Sequence, residues 1–285
     1  MSTNHIESST EVPGLPEGYR PRQSAPVWQT PLEGWQDKLA QTLKRVSGSH
    51  QPAVFFRADD IGAGGRAFET MCHIFRESAV PLAMAVVPAW LSDVRKTQLF
   101  QSAPLDEPLW GWHQHGWRHV NWQRTGKKSE FGEHRPFEKQ WRDIFQGRQK
   151  MIDIFGEHFV QVFTPPWNRL SNATLRVVQD LGFKGVSLMG TFPRNLKPPI
   201  VLANLRIQLD LHTRKSKDAP ADYDALLEEL AFLLNKKEPV GIMIHHHRMT
   251  PFAFQFLHTL ISLLRTEART RFLSFGNILE TGNNE

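Results

Sequence analysis

The stretch VFFRADD, residues 54–60, sets three strand-forming apolar residues ahead of an arginine and two adjacent carboxylates. The same grammar recurs along the chain: PLWGW (108–112) runs into HQHGWRH (113–119), and VQVF (160–163) into TPPWN (164–168). Further on, LRIQL (205–209) ends at Asp210 and VGIMI (240–244) ends in three histidines, 245–247. Between these runs lie helical patterns. Phe68, Met71, Cys72 and Phe75 recur at i, i+3, i+4 and i+7, and further helices are expected near 92–102, 137–155, 222–236 and 251–266, with one capped by Ser171 and ended by Gly182. Strands alternating with helices imply parallel strands joined by right-handed crossovers. Seven or eight such units without a linker point to one α/β barrel over residues 31–285. Each polar cluster then falls at the C-terminal end of a strand, the rim where barrels of this kind build their sites.

The 285 residues, 40% apolar and 22% charged, suit a soluble globular protein with a sizeable core. The net charge of +5 is spread along the chain, and its densest run, RTGKK at 124–128, is an ordinary solvated loop, so no nucleic-acid partner is expected. Cys72, the single cysteine, has Met71 and Phe75 beside it and reads as a buried, inert thiol. No apolar run approaches the ~18–20 residues of a membrane span, and the N-terminus lacks the pattern of a signal peptide. A cytoplasmic location is the expectation. Residues 1–30, rich in Pro, Ser, Glu and Gly, read as a flexible or surface-hugging extension. Oligomeric state is not legible.

His115 and His119 stand four apart; if the segment after His115 turns helical, both imidazoles face one way and offer two metal ligands. Asp59 and Asp60 supply what such a pair lacks. Two carboxylates at one strand end cannot both be buried and ionised without a cation nearby. A metal answers for one, and the other is free to act as a base. Two histidines and one carboxylate leave coordination positions open, the mark of a catalytic site. Zinc suits these ligands, and cobalt, nickel or manganese would fit the same set.

These residues resemble the motifs of the polysaccharide deacetylases, the NodB-homology or carbohydrate esterase 4 type. Ala58–Gly62 matches the family's Asp-Asp-Gly motif, His115–His119 its His-Ser/Thr-x-x-His, Thr164–Asn168 approximates Arg-x-Pro-x, and Met243–His245 matches Leu-x-His. Order and spacing hold over roughly residues 50–275. The resemblance implies a distorted (β/α)7 barrel in which Asp60, His115 and His119 hold a divalent metal, usually zinc. It further implies Asp59 as catalytic base, His245 as general acid and Asp210 behind His245 as its orienting group. Trp117, Pro165, Pro166, Trp167 and Asn168 would line the pocket or support it. The implied activity is hydrolysis of an N- or O-acetyl group, or another small amide, on a carbohydrate-like or small-molecule substrate.

Two departures from the family pattern stand out. Gly116 replaces the Ser/Thr that braces the second motif, and Thr164 stands where the family's Arg pairs with the catalytic Asp. Without that Arg, Asp59 is expected to be less firmly held and its pKa to rise, unless Arg57, Arg118 or Arg169 substitutes. Glu130 and Arg135, in KKSEFGEHR, read as a surface loop, and strand alternation would turn His246 away from the site. Two alternatives remain open: a small-molecule amidohydrolase of the allantoinase kind, and a carbohydrate-binding protein that has lost turnover.

Overall fold

A computed structural model describes residues 19–46, 50–192 and 197–282. Its elements run α1 (Trp35–Lys44), β1 (Ala53–Ile61), α2 (Arg66–Glu77), β2 (Leu82–Val86), α3 (Asp93–Ser102), β3 (Trp110–His115), α4 (Phe137–Phe155), β4 (Phe159–Thr164), α5 (Asn172–Asp180) and β5 (Gly185–Val186). Then come β6 (Ala203–Asn204), β7 (Ile207–Asp210), α6 (Ala219–Leu234), β8 (Val240–Ile244), α7 (Pro251–Thr266), β9 (Arg271–Phe272) and α8 (Phe275–Gly282). The strands pair in parallel in the order β6-β5-β4-β3-β2-β1-β8-β7, with β9 beside β1. This is the expected α/β architecture. The barrel is distorted because β6 and β7, the two ends of that path, share no ladder.

Two apolar layers follow from strand periodicity, since alternate residues face opposite sides of a sheet. Val54, Phe56 and Ala58 of β1 join the large core between sheet and helices. Phe55 instead joins a smaller cluster inside the curl, with Ala83, Val162, Ile207, Met243 and Phe275. Arg57 and Asp59 continue the Phe55 face upward, so a guanidinium and a carboxylate stand above an apolar floor. Helix starts are capped as their sequences dictate: Ser92, Ser171, Asp218 and Thr250 each accept the backbone N–H three residues on. Asp218, followed by a proline in the first turn, starts α6 three residues before the apolar periodicity alone suggests.

Residues 1–18 of the expected extension lie outside the described residues. Within residues 19–30, Val27 and Trp28 are fully buried, not surface-hugging. The Trp28 indole N–H donates to the Leu211 carbonyl at 2.6 Å, and its ring packs on Phe256 and Phe252 at 4.8 and 5.7 Å between centroids. An apolar pair in a polar stretch thus ties the segment to α7 and to the end of β7. Among the described residues no helix is long and apolar enough to cross a membrane.

Trp28→Ala is expected to destabilise the chain by about 3–5 kcal/mol, the range for emptying a packed aromatic site. Urea unfolding would show this as a lower midpoint at unchanged slope. A change within 0.5 kcal/mol would mean that the segment is only laid against the barrel.

Candidate metal centre

Adjacent residues on a regular strand point to opposite faces, so Asp59 and Asp60 should diverge. They do not, because β1 is irregular between Ala58 and Ile61 and Asp60 adopts φ +62°. The break turns Asp60 back to the rim while Asp59 keeps the inward face. His119, Trp167 and Asn168 also carry positive φ. Such conformations are costly for residues with a side chain and gather where function requires them.

The Asp60 carboxylate meets both expected histidines. Its Oδ1 lies 3.3 Å from His115 Nε2 and 3.1 Å from His119 Nε2, and one donor atom from each of the three residues falls within 4.8 Å of the others. A tetrahedral ion with bonds of ~2.0–2.1 Å needs ligand atoms about 3.3 Å apart. His115 Nδ1 lies 3.0 Å from the Thr164 carbonyl, which can only accept, so Nδ1 carries the proton and the Nε2 of neutral His115 presents a lone pair. That lone pair faces Asp60 Oδ1, itself buried without a hydrogen bond. With His115 neutral, two electron-rich atoms turn on each other out of water; a proton on the ring or a metal cation reconciles them, and two imidazoles with one carboxylate fit a divalent metal.

The route to this geometry differs from the expected helical turn. Residues 116–119 form a bend, closed by the buried Glu130 carboxylate. Glu130 accepts the backbone N–H groups of Trp117, Arg118 and His119 at 3.3, 2.8 and 3.1 Å. It is therefore not a surface-loop residue. Gly116 follows from the same packing: at φ +58°, a Cβ there would stand 2.4 Å from Glu130 Oε2 and 2.6 Å from the Pro166 ring. The family's Ser/Thr has no room, and a carboxylate from a distant loop braces the turn instead.

Asp59 is held by Arg57, two residues earlier on the same face. The fully buried guanidinium donates to Asp59 Oδ1 and Oδ2 at 2.7 and 2.9 Å, to Ser187 Oγ at 2.8 Å and to Asn168 Oδ1 at 2.8 Å. Burial alone would raise the Asp59 pKa; the charge of Arg57, with lesser help from His115 and His245, outweighs it and the net shift is downward. The expected loosening and upward shift are thereby corrected, because Arg57 supplies the cation that pairs with Asp59. Thr164 has other work, with its carbonyl on His115 and its hydroxyl 3.0 Å from His113 Nε2.

A cleft of about 950 Å³ exposes Asp59, Asp60, His115, His119, Trp167, Asn168, Asp210 and His245 together. Trp117, Pro165 and Pro166 stand behind its wall: Trp117 packs against the core, and both prolines are buried. The aromatic faces beside His119 are Trp167 and Trp90, at 4.4 and 5.7 Å between ring centroids. Asp210 does not hold His245. Its carboxylate accepts the backbone N–H of His212 and of Thr213, and the Thr213 hydroxyl. His212, missed in the sequence, is the residue behind His245, accepting its backbone N–H at 3.0 Å.

β8 ends at Ile244, so alternation no longer governs the three histidines. His246 packs edge-on to Phe68, its pKa pushed down to about 3 by burial. His247 reaches within 3.7 Å of Asp60 Oδ2, an approach that nothing in the spacing indicated.

No family model and no curated protein matches the chain. Its fold does match solved structures. A crystal structure from Mycobacterium smegmatis assigned to the polysaccharide deacetylases superposes with a TM-score of 0.59 at 13% identity, over 84% of this chain and 93% of that one. The Xyl-CE4 domain of a multidomain xylanase from the hindgut metagenome of Trinervitermes trinervoides gives 0.52 at 10% identity, over 82% and 92%. The chain therefore has the fold of the polysaccharide deacetylases, carried by a sequence far from either.

Glu130→Ala would take the acceptor from three backbone N–H groups and free the bend that carries His119. Calorimetric titration with zinc is expected to show affinity reduced about 10–100-fold, the usual cost of losing a ligand's support. Unchanged affinity would mean that the bend holds its shape unaided.

Proposed function

We propose that the chain is a metal-dependent hydrolase of the deacetylase type, removing an acetyl or similar small acyl group from nitrogen or oxygen. The observation that carries this reading is the separation of two neighbouring carboxylates into two environments. Asp60 faces two imidazoles, whereas Asp59 faces a guanidinium. Asp60, His115 and His119 would hold one divalent ion, zinc by donor type. When bound, such an ion supplies Lewis acidity and a water acidic enough to attack at neutral pH.

The chain's own groups account for the proton transfers. Asp59, kept ionised by Arg57, is the acceptor for the proton of the attacking water. His245, which lines the same cleft, would return a proton to the departing nitrogen or oxygen. Asn168 holds Arg57 from the far side, so the base is oriented by a network and not by a single contact. Trp167 and Trp90 offer apolar faces to the substrate beside His119. A binding protein without turnover was favoured by an unsupported Asp59, and Arg57 removes that ground.

Metal-loaded wild type should hydrolyse 4-nitrophenyl acetate. Asp59→Asn is expected to keep the metal and lose about 10²–10⁴-fold in rate, the range for a positioned base. Asp60→Ala should lose both metal and hydrolysis, and equal rates for wild type and Asp59→Asn would sink the assignment of the base. Arg57→Met removes the charge that outweighs burial, so the Asp59 pKa must rise. The acid limb of the kcat/KM profile should then move to higher pH, and a limb that stays in place would take Arg57 out of the account.

A further inference from the structure

The cleft around the candidate metal centre is lined by seven Lys and Arg side chains against three carboxylates. The carboxylates are already committed: Asp59 to Arg57, Asp60 to the imidazoles, and Asp210 to the turn that follows it. Of the cations only Arg214 is neutralised, by Asp222 and Glu229. Arg22, Lys127, Lys128, Arg169, Lys215 and Arg248 have no carboxylate within 4.0 Å among the described residues. The Nε of Arg248 is in addition buried with no hydrogen-bond partner.

These cations come from five separate stretches of chain, and Arg22 arrives on the segment that Trp28 fastens to the core. A second hollow of about 1090 Å³ opens on the other side of Pro21–Gln23 and shares Asp60 with the first. It adds Arg20, Arg66 and Arg95 and no further carboxylate. Like charges gathered around a concave site repel one another and concentrate anions there. A neutral sugar chain would leave that repulsion standing, whereas an anionic substrate relieves it.

We propose that the cleft selects an anionic substrate: a small acylated compound bearing a carboxylate or phosphate near the acyl group. The acyl part of this statement rests on the hydrolase reading; the charge preference stands on the cleft and is read in binding alone. The probes are N-acetylglucosamine, N-acetylglucosamine 6-phosphate and N-acetylmuramate, titrated calorimetrically into the metal-loaded full chain. At low salt at least one anion should bind about tenfold more tightly than the neutral sugar, and raised salt should erode the advantage. Which anion gains tells phosphate from carboxylate.

Lys128→Gln with Lys215→Gln, both exposed positions, should reduce the anion's advantage and leave neutral-sugar binding as it was. Equal binding of the three probes, or no binding of either anion, overturns the proposal. So does an anion preference undiminished in the variant, because the exposed cations of the cleft would then contribute nothing to it. Failure of wild type on 4-nitrophenyl acetate, an uncharged ester, bears instead on the hydrolase reading.

Discussion

The buried ion pair between Arg57 and Asp59 is the constraint on which the site depends. A guanidinium inside a barrel costs several kcal/mol in lost hydration, and such a pair gains the fold little or nothing over apolar residues of the same size. Arg57 is fully buried, and its donors reach Asp59, Ser187 and Asn168, joining β1 to the segments that follow β4 and β5. What the pair contributes is a carboxylate that stays ionised although it is buried. Asp60 beside it is consequently the carboxylate left to face the imidazoles.

Much of the remaining geometry follows from giving Asp60 its own direction. A regular strand would send it outward; the irregularity in β1 and the positive φ return it to the rim. The strain is met by close packing opposite, where Gly116 lets the bend carrying His119 lie against Glu130 and Pro166. The motif histidines therefore converge through a backbone bend with an anionic anchor. A helix would have brought them together by periodicity alone, and none forms there. Loop and strand distortions at this end of the barrel are where its chemistry can vary without disturbing the floor.

Periodicity made the architecture legible. VFF, LAMAVV and VGIMI alternate with amphipathic segments, and the polar clusters after the strands meet at one rim. α1 was not anticipated, although Trp35, Leu39 and Leu43 recur at the spacing of a buried helical face. The Asp60, His115 and His119 grouping was visible because motif residues lie at strand ends. The supporting groups were less so. Arg57 was open beside Arg118 and Arg169 as the partner of Asp59, and counting in twos along Phe55, Arg57 and Asp59, which share a face, singles it out. Glu130 gave no signal, since its partners are backbone N–H groups more than ten residues earlier in the chain. Asp210 was placed by resemblance behind His245, and its local turn took the carboxylate instead.

The central claim is that Asp60, His115 and His119 hold one metal ion. It is tested most directly by anomalous diffraction at the zinc edge, on crystals of the protein prepared with zinc. The account predicts one dominant peak within bonding distance of Asp60 Oδ1 and the Nε2 atoms of His115 and His119, with Asp59 still paired to Arg57. No peak there, or a peak bound through Asp59 with Arg57 displaced, would contradict it.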